Sequence, residues 1–187
     1  MFIDSEAPMN DCIWETYSAL VWATALTTEV YRDTGFIMQF MRHNQADFLQ
    51  QKTQINHQKK LWAAMVDFHV HLVPMWNTDW SLVLSVQYAW INYWQTIPAA
   101  SWRTDAGNVT IPLLWADQYK HLVKDLLTNV PAPANETPSS IFLIKITRVP
   151  ASDTYEWTKD HWTASANVWI LFVDAHVPTE RFWGPLY

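Results

Sequence analysis

The spacing of apolar residues predicts that the first two-thirds of the chain are helical. Residues 13–33 carry aromatic and aliphatic side chains at helical spacing, between a suitable N-cap at Asp11 and a helix-ending glycine at Gly35. Residues 80–95 are apolar on nearly all sides, which is typical of a buried helix. Residues 115–127 repeat aromatic and leucine side chains at intervals of three and four, which indicates an amphipathic helix.

A seven-residue repeat is the most regular pattern in the chain. It is formed by Met41, Phe48, Ile55, Trp62 and His69. We expect a helix over about residues 36–73 that carries this repeat as a single stripe against another helix. Such a helix is about 55 Å long, so a small compact body cannot cover all of it. Gln51 and Gln58 fall at the second core position, where amides fix register and oligomer state. The alternatives are a solvent-exposed middle, or two helices broken near Asn44 or Asn56.

The pattern changes from helical to strand-like near residue 140. Residues 130–140 contain three prolines and few large side chains, which is typical of a linker or surface loop. Three strands of an antiparallel sheet are expected beyond it, with the last one central: residues 141–149, 155–163 and 167–177. The sequence therefore predicts an α+β fold, with a helical region at 1–129 and an antiparallel sheet with an apolar docking tail at 141–187.

Composition argues against several classes of function. The 187 residues include three widely separated glycines, so the clustered glycines of a phosphate-binding loop are missing. The lone Cys12 excludes an internal disulfide and a cysteine-based zinc site. The net charge of −6 argues against nucleic acid as a partner.

Targeting signals are equally sparse in the sequence. No apolar stretch reaches the length of about 20 residues that a membrane-spanning helix needs. The N-terminal residues lack the basic and apolar regions of a secretory signal, so the compartment is unknown and the cytoplasm is the default expectation.

One segment carries a pattern associated with metal chemistry. The run Val66-Asp67-Phe68-His69-Val70-His71-Leu72 resembles the first-strand signature of the amidohydrolase superfamily, in which Asp-x-His-x-His ends a barrel strand. The resemblance implies a metal-dependent hydrolase with His69 and His71 as ligands. In a strand the two histidines face the same way, but on the helix predicted here they diverge by about 200°. We therefore expect no metal at His69 and His71, and no cofactor.

A second aspartate–histidine segment is the candidate for acid–base chemistry. Asp174 and His176 lie on one face of the last predicted strand, and an aspartate beside a histidine orients its tautomer in many catalytic sites. Asp160 and His161 form a similar pair. If these residues are catalytic, the function is that of an α+β protein that binds or hydrolyses a small apolar ligand in an aromatic pocket.

The aromatic content favours assembly over catalysis. The chain has 13 Trp, 7 Tyr and 8 Phe residues, and Trp and Tyr are the usual anchors of protein interfaces. The leading hypothesis is a non-enzymatic structural or adaptor subunit that associates with itself or with a protein partner through the long helix and aromatic-rich surfaces. Its expected interface residues are Met41, Phe48, Ile55, Trp62, Gln51 and Gln58.

Overall fold

Two antiparallel β-sheets make up the part of the protein that the structure describes. The computed structural model describes residues 9–15, 27–30, 34–42, 46–54, 65–75, 79–96, 103–132, 140–154 and 168–178. The strands are β1 (Met9–Glu15), β2 (Thr27–Val30), β3 (Ile37–Met41), β4 (Phe48–Gln54), β5 (Met65–Pro74), β6 (Trp80–Ile91), β7 (Thr104–Leu113), β8 (Leu122–Pro131), β9 (Ile141–Arg148) and β10 (Val168–Pro178). A short 3₁₀ turn spans Trp115–Asp117, and the described residues contain no α-helix.

The prediction of a helical α+β fold is therefore wrong. The expected long helix at 36–73 is occupied by β3, β4 and β5, and the expected helix at 80–95 is strand β6. The seven-residue repeat misled because its described members, Met41, Phe48 and His69, lie on three separate strands, so no helix places them on one face. The strands expected at 141–149 and 167–177 are present as β9 and β10, but they lie in different sheets. The strand expected at 155–163 lies outside the described residues.

The strand order defines a two-layer sandwich. One sheet has six strands in the order β2-β3-β10-β5-β8, with β1 also paired to β10, and the other has four strands in the order β4-β9-β6-β7. From β3 to β10 the chain passes between the sheets at every connection except the one from β6 to β7. The last strand is central, as expected, because β10 lies between β3 and β5. Eight strands in two sheets connected in this way form a jelly roll.

Strands from both sides of residues 130–140 contribute to each sheet. The division of the chain into a region 1–129, a linker and a region 141–187 stays a prediction, since residues 133–139 and the docking tail at 179–187 lie outside the described residues. Within the described part of the chain, no helix has the length and hydropathy needed to cross a membrane.

The core fills the space between the two sheets. Side chains alternate along β5 and β9 in the pattern of strands with one buried face, and the Phe68 and Phe142 rings stack across the layers with centroids 4.4 Å apart. The fully enclosed residues include Met41, Leu49, Val66, Phe68, Val70, Leu72, Leu82, Leu84, Val86, Phe142, Ile146, Val168, Val173 and Ala175. This shared apolar layer is the main stabilising contact between the sheets.

A buried ion pair ties the sheets together at one end of the sandwich. Arg148, 1% exposed, donates from Nε to the Asp153 carboxylate at 2.5 Å and from Nη1 to the Met41 carbonyl at 3.2 Å. Its backbone N–H donates to the Asp47 carbonyl at 2.9 Å. The Asp47 carboxylate in turn accepts three hydrogen bonds from Arg42, one from the backbone and two from the guanidinium. Two acids and two arginines thus close this end.

Candidate functional site

The outer face of strand β5 carries a row of polar side chains. Its buried residues Val66, Phe68, Val70 and Leu72 point into the core, so the alternating residues Asp67, His69 and His71 point outward. The two histidines lie near the centre of the six-stranded sheet, because β5 is flanked by β8 and β10. The helix that would have separated them is absent, so the geometric reason for expecting no metal at His69 and His71 is removed.

A bulge in β10 turns a second set of polar side chains toward the same face. The register against β5 skips Leu171, since Ile170 pairs with Leu72 and Phe172 with His71. One extra residue reverses the alternation, so Val173 and Ala175 point into the core and Asp174 points outward. The bulge therefore puts Asp174 directly opposite His69, on the face that His69 occupies.

Three histidines surround the Asp174 carboxylate. Oδ1 lies 3.3 Å from Nε2 of His71 and 3.6 Å from Nδ1 of His69, and Oδ2 lies 3.4 Å from Nε2 of His176. These distances are longer than the usual range of about 2.7–3.2 Å for N–H···O hydrogen bonds. Oδ1 of Asp174, Nδ1 of His69 and Nε2 of His71 are buried atoms without a hydrogen-bond partner. We call Asp174, His69, His71 and His176 the His–Asp cluster.

The edge strand β8 and the loop before it provide an outer layer of contacts. The second nitrogen of His69, Nε2, lies 3.3 Å from Oδ1 of Asp125, which pairs with His69 across the strands. The second nitrogen of His71, Nδ1, lies 2.8 Å from Nε2 of His121. Each central histidine therefore has one nitrogen toward Asp174 and the other toward a residue nearer solvent.

Burial makes the electrostatics of the His–Asp cluster unusual. The Asp174 side chain is 5% exposed, and among the described residues no lysine or arginine forms an ion pair with it. Burial lowers the pKa of His71 below its usual value, and the attraction of the nearby Asp174 carboxylate only partly offsets this effect. The neutral imidazole is therefore favoured at His71. A carboxylate in such surroundings needs a proton or a cation to compensate its charge.

The candidates from the sequence are brought together in part. Asp174 and His176, the candidate acid–base pair, share one site with His69 and His71, the candidate metal ligands. Asp160 and His161 lie outside the described residues. Sequence reasoning missed His121 and Asp125, because only the pairing of β8 with β5 brings them to the cluster.

Of the six expected interface residues, the structure describes Met41 on β3 and Phe48 and Gln51 on β4, and their role in an interface stays a prediction. Met41 is fully buried and Gln51 is 2% exposed. Phe48 is partly buried at the start of β4, with the Lys145 ammonium 4.6 Å from its ring centroid. Ile55, Gln58 and Trp62 lie outside the described residues.

Comparison with known proteins adds little to this geometry. No protein-family model matches the chain, and no curated protein matches it. Among solved structures, a carbohydrate-binding module described as specific for non-crystalline cellulose is similar to this chain, with 14% identity and a TM-score of 0.39. The alignment covers 89% of this chain and 87% of the module. At that level the similarity carries no argument about this chain's function.

Proposed function

We propose that this protein is a non-enzymatic structural subunit that associates with further copies of itself into a larger assembly. The observation that carries the proposal is the jelly-roll strand order, β3-β10-β5-β8 facing β4-β9-β6-β7. Viral capsid proteins, lectin domains and cupins share this architecture. This support is an analogy of fold, so the choice among those classes depends on the side chains.

The interior favours a structural role over a cupin-type enzyme. Enzymes of that type hold their ligand between the two sheets, where this chain has stacked aromatic rings and closely packed aliphatic side chains. Phe142 alone contacts Phe68 at 4.4 Å, Trp90 at 5.3 Å and Tyr88 at 5.4 Å between ring centroids. Apolar side chains occupy the volume that a substrate would need.

Aromatic side chains are exposed at both ends of the sandwich. Trp94, 88% exposed, lies in the turn that follows β6, and Trp115, 63% exposed, lies beside the start of β6, where its backbone N–H donates to Asp79. The 12 residues of β6 separate these positions by about 40 Å. Exposed tryptophans are costly in water and are frequent anchors of protein interfaces.

The backbone at Trp94 supports an interface role for its side chain. Its φ of 64° lies in the left-handed region, which costs an aromatic residue about 1–2 kcal/mol relative to glycine. Here the strained residue presents a large apolar side chain to solvent, so burial against another subunit would offset that cost.

A second copy of this chain is the partner that these two positions favour. Two different aromatic patches at opposite ends allow head-to-tail contacts, which close into rings when the rotation between copies permits it and form open filaments when it does not. The long helix has no part in this proposal, because the region expected to form it is strand.

The test is the mass of the protein in solution, measured by light scattering after size exclusion, together with electron microscopy of concentrated samples. We expect multiples of the 21.9 kDa chain and regular particles. Trp94→Asn tolerates the left-handed backbone but removes the ring, and Trp115→Ser removes the aromatic group at the other end. Each should shift the distribution toward monomer.

Leu143→Thr is the matched control, because Leu143 lies on the outer side of β9 between the ends and should not change the mass. A wild-type protein that stays monomeric at high micromolar concentration and forms no particles would contradict the proposal. An assembly that neither tryptophan variant weakens would contradict the two aromatic contacts.

A further inference from the structure

We propose that His69, Asp174 and His176 bind a divalent transition-metal ion, with Zn²⁺ the best fit, on the outer face of the six-stranded sheet. Each of the three residues offers one ligand atom, and these atoms all lie within 4.8 Å of one another. The proposal concerns residues other than the exposed tryptophans and does not depend on the assembly role.

The spacing of the polar atoms fits a shared ion better than hydrogen bonds. Zn²⁺ binds histidine nitrogen and carboxylate oxygen at about 2.0–2.2 Å in tetrahedral geometry, which separates neighbouring ligand atoms by about 3.3–3.6 Å. Oδ1 of Asp174 lies 3.6 Å from Nδ1 of His69, and Oδ2 lies 3.4 Å from Nε2 of His176. Each nitrogen therefore lies about one tetrahedral edge from one oxygen of the carboxylate, a spacing at which a single ion can bridge an imidazole and the carboxylate.

The second line of support is the unpartnered buried carboxylate oxygen. Oδ1 of Asp174 lacks a hydrogen-bond partner although the side chain is 5% exposed. An isolated buried carboxylate is costly, and the cost is removed when it coordinates a cation. Nδ1 of His69 is also buried without a partner and lies beside this oxygen. A ligand oxygen and a ligand nitrogen are therefore both available for one ion.

The outer layer matches the usual surroundings of a metal site. A metal-bound histidine commonly donates its other ring N–H to a carboxylate, which fixes its tautomer and orientation. Asp125 occupies that position, 3.3 Å from Nε2 of His69. His71 lies 3.3 Å from Oδ1 of Asp174 through Nε2, where it can position the carboxylate. We therefore assign His69, Asp174 and His176 as ligands, and Asp125 and His71 as positioning residues.

Ligand chemistry and access narrow the choice of ion. Two imidazoles and one carboxylate favour zinc and related transition metals over Ca²⁺ or Mg²⁺, which prefer all-oxygen sites. The His176 side chain is 34% exposed, so solvent reaches the cluster from this side. A water molecule can supply the fourth ligand there.

The test uses the full chain, freed of metal by a chelator and titrated with ZnCl₂ in a calorimeter. We expect saturable binding of about one equivalent. Titration with Co²⁺ should give the intense visible absorption of a tetrahedral complex, which reports geometry directly.

The variants separate ligands from bystanders. Asp174→Asn and His176→Gln should abolish the one-equivalent binding and the Co²⁺ spectrum. His176→Gln is the safer variant for folding, since its side chain is the more exposed of the two. Asp125→Asn should keep the stoichiometry and weaken affinity by about 10–100-fold.

His121→Gln is the matched control, because His121 contacts His71 but none of the three ligands. It should leave affinity within a few-fold of wild type. Absence of saturable binding in the wild type, or binding that persists unchanged in folded His176→Gln and Asp174→Asn proteins, would overturn the proposal. Circular dichroism of the metal-free variants establishes that they are folded.

Discussion

Two buried carboxylates in this protein have different partners. Asp153 is 2% exposed and pairs at 2.5 Å with Arg148, whose guanidinium also donates to a backbone carbonyl. Asp174 is 5% exposed, and its ionisable neighbours among the described residues are three histidines at 3.3–3.6 Å. The first site is complete within the chain, whereas the second leaves an oxygen without a partner.

The comparison distinguishes a carboxylate whose charge is balanced within the chain, Asp153, from one whose surroundings suit an added cation, Asp174. Arginine is always protonated, so Arg148 gives Asp153 a fixed positive partner. The neutral imidazole favoured at His71 offers Asp174 no fixed positive charge. The Asp153 carboxylate therefore stabilises the fold through its ion pair, whereas the Asp174 carboxylate can bind an added cation.

The largest expected effect comes from breaking the complete site. Asp153→Asn leaves the Arg148 charge buried without its partner, which should lower the free energy of unfolding by about 3–5 kcal/mol. Urea denaturation followed by circular dichroism measures the change.

Removal of both charges is the control for that experiment. The double variant R148M/D153L should recover much of the lost stability, because apolar side chains of similar volume can replace a buried ion pair. The free energy of unfolding of R148M/D153L is compared with those of R148M and D153L. If the loss in the double variant equals the sum of the losses in the two single variants, the ion pair is not the source of the loss.

The second effect depends on added metal. At a free Zn²⁺ concentration of 100 times the dissociation constant, the wild type should gain about 2.7 kcal/mol of stability. Asp174→Asn should gain nothing from zinc, and without metal its loss of stability should be much smaller than that of Asp153→Asn, since its charge is uncompensated in the wild type. Thermal unfolding with and without ZnCl₂ gives both quantities. A zinc-dependent rise of equal size in Asp174→Asn would remove the proposed distinction between the two carboxylates.

The smallest effect is expected at a third buried carboxylate, Asp47, whose arginine partner is partly exposed to solvent. Asp47 is fully buried, but its partner Arg42 has a side chain that is 40% exposed. The hydrogen bond from the Arg42 side chain to Asp47 raises the pKa of the Arg42 guanidinium. Asp47→Asn should cost about 1–2 kcal/mol, because the amide oxygen still accepts one hydrogen bond and water can solvate Arg42. A loss as large as that of Asp153→Asn, in the same urea assay, would show that exposure of the arginine makes no difference.

Some strands could be predicted from the residues of a single segment. The strands at β9 and β10 were predicted from β-branched apolar runs, and the position of β10 in the middle of a sheet followed from its apolarity on both faces. Strand β5 also carried a readable signal, since apolar and polar residues alternate from Val66 to Leu72. The helical interpretation overrode it because Met41, Phe48 and His69 fit a heptad, a pattern that a chain of short strands reproduces by coincidence.

Two features follow from the amino-acid sequence alone: the chain has enough apolar residues for a core, and Asp174 stands two residues before His176. Tertiary structure decided which face that pair occupies, because the bulge at Leu171 reverses the side-chain alternation of the strand. The neighbours of Asp174 also depend on the tertiary fold, since His69 reaches it only through the pairing of β5 with β10, and Asp125 reaches His69 only through the pairing of β8 with β5. Alternation is a local property that neighbouring residues reveal, whereas strand pairing and bulges depend on contacts between residues far apart in the chain.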